Sequence, residues 1–255
     1  MTRRWRWAVV AVALAVVTAW GVHRVQGLSV GTQATNPVIR WEWLFLRPAT
    51  RHELWAAVVQ HLQLTLMAVG IGLVLASALA ALALRFRWTF TPITAFAGFL
   101  YTIPSVALFG LLDTRLGNTA AAEVALVGYT LLVLVRNIVA GIDGVPAAVT
   151  DAADGLGMSR ARRLVSVELP LALPVIVAGI RVATVTTVGL VGITAIIQLG
   201  GLGVLIFDGY ATQYYTKIVV GSVLSVALAL VLDTAFHRIE VVLTPWAHRR
   251  GRVGA

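Results

Sequence analysis

The chain has 255 residues, 59% of them hydrophobic and 12% charged, with a net charge of +9 and a mean hydropathy of +0.88. So apolar a composition excludes an ordinary soluble domain, and the lack of cysteine excludes a disulfide framework, a thiolate metal site, a cysteine nucleophile and a lipidated cysteine. The arginines are scattered between apolar blocks and form no basic stripe with interleaved aromatics, which argues for membrane lipid and against nucleic acid as the partner.

The apolar blocks run to about 20 residues, enough to cross about 30 Å of hydrocarbon as helix. Met1–Trp7 is basic and aromatic, and Ala8–Val22 is apolar except for Thr18. The small-x-small pattern of a signal-peptidase site is poor here, so a retained first helix is expected rather than a cleaved signal. Residues 23–53 are polar, with Trp41, Trp43 and Trp55 placed as rings at a headgroup interface.

A second span is predicted over Leu54–Leu84, closed by Arg85 and Arg87, and a third over Trp88–Leu112, carrying Pro92 and Pro104. Asp113–Glu123 reads as a short loop, Thr119–Ala140 as the fourth span, Leu171–Leu199 as the fifth, and Ile218–Leu232 as the start of the sixth. The fold class is therefore all-α, a polytopic helical membrane protein of about six spans. It divides into residues 1–60 (first helix and outer loop), a core at 61–243 with a cytoplasmic loop at 141–170, and a basic tail at 244–255. With both termini cytoplasmic, Arg85, Arg87, Arg160, Arg162, Arg163, Arg249, Arg250 and Arg252 fall inside, and the excess of inner arginine supports that orientation.

The stretch DAADGLGMSRARRLVSVELP at 151–170 is the longest charged segment between spans. Pro146 suits the first turn of a helix that Gly155 and Gly157 stop, and Ser159 is placed to cap a second helix over Arg160–Glu168. The product is a knuckle of helix, glycine turn and basic helix. Its small residues alternate with Leu156, Met158, Leu164 and Val167, a pattern suited to insertion in a partner's groove and unlike a merely solvated loop.

Asp151-Ala152-Ala153, Gly157, Val167 and Leu169-Pro170 stand at the offsets of a signature that resembles the inner-membrane permeases of ATP-binding cassette importers. Asp replaces the more usual Glu and Val the more usual Ile. The resemblance extends over about residues 61–210, through HLQLTLMAVGIGLVLA, YTIPSVALFGLL and VLVRNIVAGIDGVP, and is similar to the osmoprotectant subgroup, which moves glycine betaine, choline and carnitine. Methionine permeases share parts of it.

The resemblance implies the importer-permease fold with cytoplasmic coupling helices in a bacterial inner membrane. It also implies two ATPase subunits, an extracytoplasmic solute-binding protein and a second permease, identical or paralogous. Asp151, Ala152, Ala153, Gly157, Met158, Leu169 and Pro170 are then the ATPase-docking residues. The chain lacks a Gly-x-x-x-x-Gly-Lys-Ser/Thr loop, so no cofactor is expected in it and ATP belongs to the partner subunit.

Arg181 lies about 16 Å along the helix from Pro170, near mid-membrane, where it either lines the pathway or pairs within the fold. Gln198, Gly200, Gly201 and Gly203 form either an outer gate or a plain turn. Asp113, Glu123 and Asp233 lie near span ends, where solvation accounts for them. Gly27–Gly31 matches a nucleophile-elbow pattern without the strand and helix that it needs, and His52-Glu53 lacks the second histidine of a zinc protease.

Two rival functions are poorly served. An ion-coupled secondary transporter calls for corresponding broken helices in two halves, and no such pair is visible in the sequence. An intramembrane enzyme calls for a constellation at membrane depth, and His61 has no evident partner for one.

Overall fold

Small residues decide how the spans meet. The computed structural model describes Ile39, Trp43 and residues 48–246, so the expected first span at 8–22 and the end of the basic tail lie outside the described residues. Helix α1 (Pro48–Arg85) buries Ala68, Gly72, Ala76 and Ala80, four positions spaced one per turn. That stripe lies against α4 (Asn118–Asp143), and a Cβ at Gly72 would sit 2.0 Å from Thr130 Oγ1. Without a hydrophobic drive between helices in lipid, such close backbone approach supplies the packing energy.

Helix α4 is the central element. It packs on α1, α7 (Leu169–Ile193), α2 (Phe90–Thr102) and α3 (Ser105–Leu116), and it is the most deeply buried of the described spans. On its other side Gly179 of α7 faces Asn137, where a Cβ would come within 2.4 Å of the asparagine's own Cβ.

The third expected span is broken. A short 3-10 turn (Arg87–Thr89) leads into α2 (Phe90–Thr102), and α3 (Ser105–Leu116) departs from its direction by 95°. Pro104 is the cause, because it has no N–H to continue the ladder and it forces Ile103 out of helical conformation, at φ −68° and ψ 129°. The carbonyl freed at Ile103 accepts a 2.6 Å hydrogen bond from the Tyr129 hydroxyl of α4. The loop expected over Asp113–Glu123 shrinks to Gly117, whose φ of +76° joins α3 directly to α4.

After the knuckle, α5 (Ala147–Gly155) and α6 (Arg160–Arg163), a π-helical turn over Leu164–Glu168 runs without a break into α7 (Leu169–Ile193). Leu169 N–H bonds the carbonyl of Leu164, five residues back. This wider turn makes room for Pro170, whose ring would otherwise press on the carbonyl of Ser166. A 3-10 turn (Thr194–Ile197) ends α7, α8 (Leu202–Ala211) follows, and α9 (Tyr215–Leu243) returns along α7 and α8.

Among the described residues there is no strand, and four helices are long and apolar enough to span a bilayer, or five if the bent pair is one span. Trp43 is not a free interfacial ring: it is buried at 6% exposure and stacks edge-on with Tyr214. Trp55, at 68%, stays on the surface as expected.

Candidate functional site

The knuckle is built by one glycine and one arginine. Gly157 has φ +73°, its N–H bonds Asp154 O at 2.9 Å, and Met158 N–H reaches back to Ala153 O at 3.2 Å. This pair of bonds closes the carbonyl end of α5 as a Schellman turn. Gly155 does not share that role: it is the last residue of α5 and lacks positive φ, which corrects the expectation that both glycines turn the chain. Ser159 Oγ accepts from Arg162 N–H, as expected of the cap on α6.

Arg163 then ties the two arms together. Its Nε donates to Glu168 Oε1 at 2.6 Å and a second nitrogen donates to Asp154, so one guanidinium links α5, α6 and the π-turn. Glu168 is buried. The knuckle is therefore braced, with Leu156 (78% exposed) standing out from it. Of the expected docking residues, Asp151, Ala152 and Gly157 are exposed, Met158 and Pro170 are half-buried, Leu169 is on the surface, and Ala153 is packed inside.

At the opposite ends of the spans the chain from Gln198 to Leu202 is irregular. Gln198 is left-handed at φ 58°, and Gly200 and Gly201 have φ +110° and +72°. Two neighbouring side chains of α1 hold this turn from about 140 residues away in sequence. Gln60 donates to Leu199 O at 2.6 Å and accepts from Gly201 N–H at 3.1 Å. His61, fully buried, accepts from Leu202 N–H on Nδ1 at 3.2 Å while Nε2 faces Val188 O at 2.9 Å.

That geometry requires the tautomer with hydrogen on Nε2 and a bare Nδ1. A Cβ at Gly200 would meet Gln60 Oε1 at 2.2 Å, and one at Gly203 would meet Gly192 O at 1.9 Å, so both glycines admit close contact. Sequence reading placed Gln198, Gly200, Gly201 and Gly203 together but missed Gln60 and His61. No local pattern marks a latch of that range.

Arg181 is half-buried and paired, with Nε and Nη2 on the two oxygens of Asp233 at 2.9 and 3.1 Å and Nη1 on Glu240 at 3.2 Å. Asp233 is thus a partner rather than a solvated span end, because α9 continues helical to Leu243. Glu123 also departs from expectation. Both its carboxylate oxygens are buried without a hydrogen-bond partner among the described residues, so solvation does not account for it. Its neighbour Ala122 packs in the same cluster as Ile197 and Leu199.

Residues 68–248 match the family model described as binding-protein-dependent transport system inner membrane component. The chain is 41% identical over 192 residues to the osmoprotectant import permease protein OsmW of Salmonella typhimurium, covering 73% of this chain and 89% of that one. It is 36% identical over 159 residues to the choline transport system permease protein OpuBB of Bacillus subtilis, covering 62% and 73%. A solved inward-facing structure of the MetNI methionine ABC transporter superposes with TM-score 0.68 at 21% identity, over 78% of this chain and 99% of that chain, which is a likeness of fold. The braced knuckle, the stack of apolar helices and these matches lead to one assignment: the chain belongs to the binding-protein-dependent transport system inner membrane component family, as a multi-pass permease.

Proposed function

We propose that this permease carries a quaternary-amine osmoprotectant, of the class of glycine betaine, choline or carnitine, into the cytoplasm. The observation that carries this reading is the 41% identity over 192 residues to an osmoprotectant import permease, with choline and carnitine permeases at 36% beside it. Methionine enters only through likeness of fold.

In this reading the knuckle faces the cytoplasm and seats in a groove of a separate ATPase chain through Asp151, Ala152, Gly157, Met158 and Leu156. The permease works as a pair, takes solute from an external binding protein, and has no nucleotide site of its own. The turn at Gln198–Leu202, held by Gln60 and His61, forms the outer gate. Because ligands and partners shift populations only through differential contacts, ATP-driven approach of two knuckles selects the outward-facing arrangement.

Reconstituted uptake with the cognate ATPase and binding protein, across quaternary amines and amino acids, tests the substrate class. Uptake of at least one quaternary amine is expected. A panel silent for all of them and active for methionine would overturn the reading. Orientation is checked separately by a single cysteine at position 159, which is free of background in a chain without cysteine: labelling only from the cytoplasmic side is expected.

A further inference from the structure

A hollow of about 920 Å³ lies between α1 and α7, backed by α4 and closed at one end by the knuckle. Its depth is aliphatic: Leu73 and Ala81 of α1, Ile138 of α4, and Leu173, Ile176 and Ile180 of α7. Its mouth carries Arg85, Arg87, Arg160 and Arg163 against two carboxylates, Asp143 and Glu168.

The arginines are not equally occupied. Arg87 is bound to Asp143 by two bonds of 2.7 Å, and Arg163 is held by Asp154 and Glu168. Arg85 and Arg160 are exposed and have no carboxylate partner among the described residues. The groove is therefore apolar along its length and holds two uncompensated guanidinium groups where the spans end.

We propose that this groove is a binding site for an anionic phospholipid, with an acyl chain along Leu173, Ile176 and Ile180 and the phosphate between Arg85 and Arg160. Guanidinium groups match phosphate through paired N–H donors, and each basic residue near an anionic headgroup adds about 1 kcal/mol of attraction. Two other occupants meet repulsion at the mouth. The apolar run at 8–22 is led by Arg3, Arg4 and Arg6, which would oppose Arg85 and Arg160. A quaternary amine in transit is a cation as choline and a zwitterion as glycine betaine or carnitine, with a quaternary end that the arginines repel and no acyl chain to fill the aliphatic length. The proposal goes beyond the transport reading and rests on it only for the leaflet that supplies the lipid.

The test uses the full chain with its ATPase in nanodiscs of equal phosphatidylglycerol and phosphatidylcholine, and counts retained lipid by native mass spectrometry after mild extraction. Preferential retention of phosphatidylglycerol is expected, reduced about fivefold by Arg85→Ala and about fivefold again by adding Arg160→Ala. Ala81→Trp, which fills the aliphatic part without changing charge, lowers retention of both lipids. Arg162→Ala, on the same short helix but outside the groove, leaves retention unchanged.

Equal retention of phosphatidylcholine by wild type, or full phosphatidylglycerol retention in both the double-arginine variant and Ala81→Trp, would overturn the site. So would displacement of the lipid by millimolar inorganic phosphate alone, which would make free phosphate the ligand. A disulfide from Ala81→Cys to a cysteine placed within residues 8–22 would assign the groove to the chain's own first helix. Because retention is read without transport, a silent substrate panel leaves this proposal standing, and lost lipid leaves the panel's answer standing.

Discussion

Arg181 of α7 and Asp233 of α9 meet through two parallel hydrogen bonds, 2.9 and 3.1 Å long, across 52 positions of sequence. A third bond from the same guanidinium reaches Glu240, two turns further along α9. An isolated arginine at that depth costs about 2.5–3.5 kcal/mol on insertion scales, and fork-to-fork pairing offsets that cost while fixing which face of α9 turns toward α7.

Arg181→Ala leaves Asp233 without its ion-pair partner and Glu240 with only His237 beside it, at about 3 kcal/mol. Membrane abundance and thermal stability are expected to fall further than uptake per assembled molecule. Asp233→Asn should be milder, since it retains a hydrogen-bonding group and Glu240 remains for the arginine. A wild-type melting temperature with abolished uptake in Arg181→Ala would assign the residue to the pathway instead.

His61→Phe and Gln60→Ala remove the two halves of the latch on the Gln198–Leu202 turn. Each leaves backbone groups unpartnered, at about 1–3 kcal/mol apiece. Expected are normal insertion, an unfixed turn, and ATP hydrolysis that persists while uptake falls several-fold. His61→Gln and Gln60→Asn, which keep some of the bonds, should recover part of the coupling. The ratio of solute moved to ATP hydrolysed is the measurement.

Gly203→Ala places a methyl on the carbonyl of Gly192, a backbone contact that cannot rotate away. Strong loss of folded protein is expected. Gly70→Ala is the matched control, because nothing lies within 4 Å of the added carbon. It should be neutral or slightly stabilising, since alanine is the better helix former. Thermal melting of the two variants side by side checks both.

The knuckle was legible because its signals are local: Ser159 before the second arm, a glycine where φ must be positive, and fixed offsets from Asp151 to Pro170. Among the described residues the spans were legible from hydropathy, apart from the third, where Pro104 was visible in the sequence but not the 95° turn that it makes. What stayed hidden depends on distance in sequence. Gln60 and His61 act on residues near 200, Arg163 chooses Asp154 and Glu168 among several acids, and Asp233 looks like a fading span end until α9 is seen to continue.

Gly157→Val is expected to insert normally and to dock its ATPase poorly. No atom lies within 4 Å of an added Cβ, so the cost is backbone strain alone, about 1–2 kcal/mol. Gly157→Asn should keep most of the docking, because asparagine tolerates the left-handed region. Co-purification of the ATPase with each variant, and solute-stimulated hydrolysis, are the readouts. Equal docking by Val and Asn variants would remove the turn from the coupling surface.

Glu123→Gln exchanges a dry carboxylate for an amide of the same shape, which costs less to keep unsolvated. Folded yield should be unchanged or higher, and uptake of a cationic solute measured against a zwitterionic one reports whether the charge itself has a task.

The helix from Arg160 to Ile197 is continuous over 38 residues, π-turn included, and so is a rod of about 57 Å. Arg181 ties it to α9 close to the middle, about 32 Å from Arg160 and about 24 Å from Ile197. Moved as one piece about that point, the helix is a lever with a fulcrum whose two tips travel in opposite directions, and Pro174, inside the knuckle-side arm, is where it can bend. A push of about 4 Å at Arg160 carries Ile197 about 3 Å the other way at these arm lengths. In the proposed transport reading, contraction of the paired knuckles on one side of the bilayer is converted into opening on the other by this helix moving as a whole.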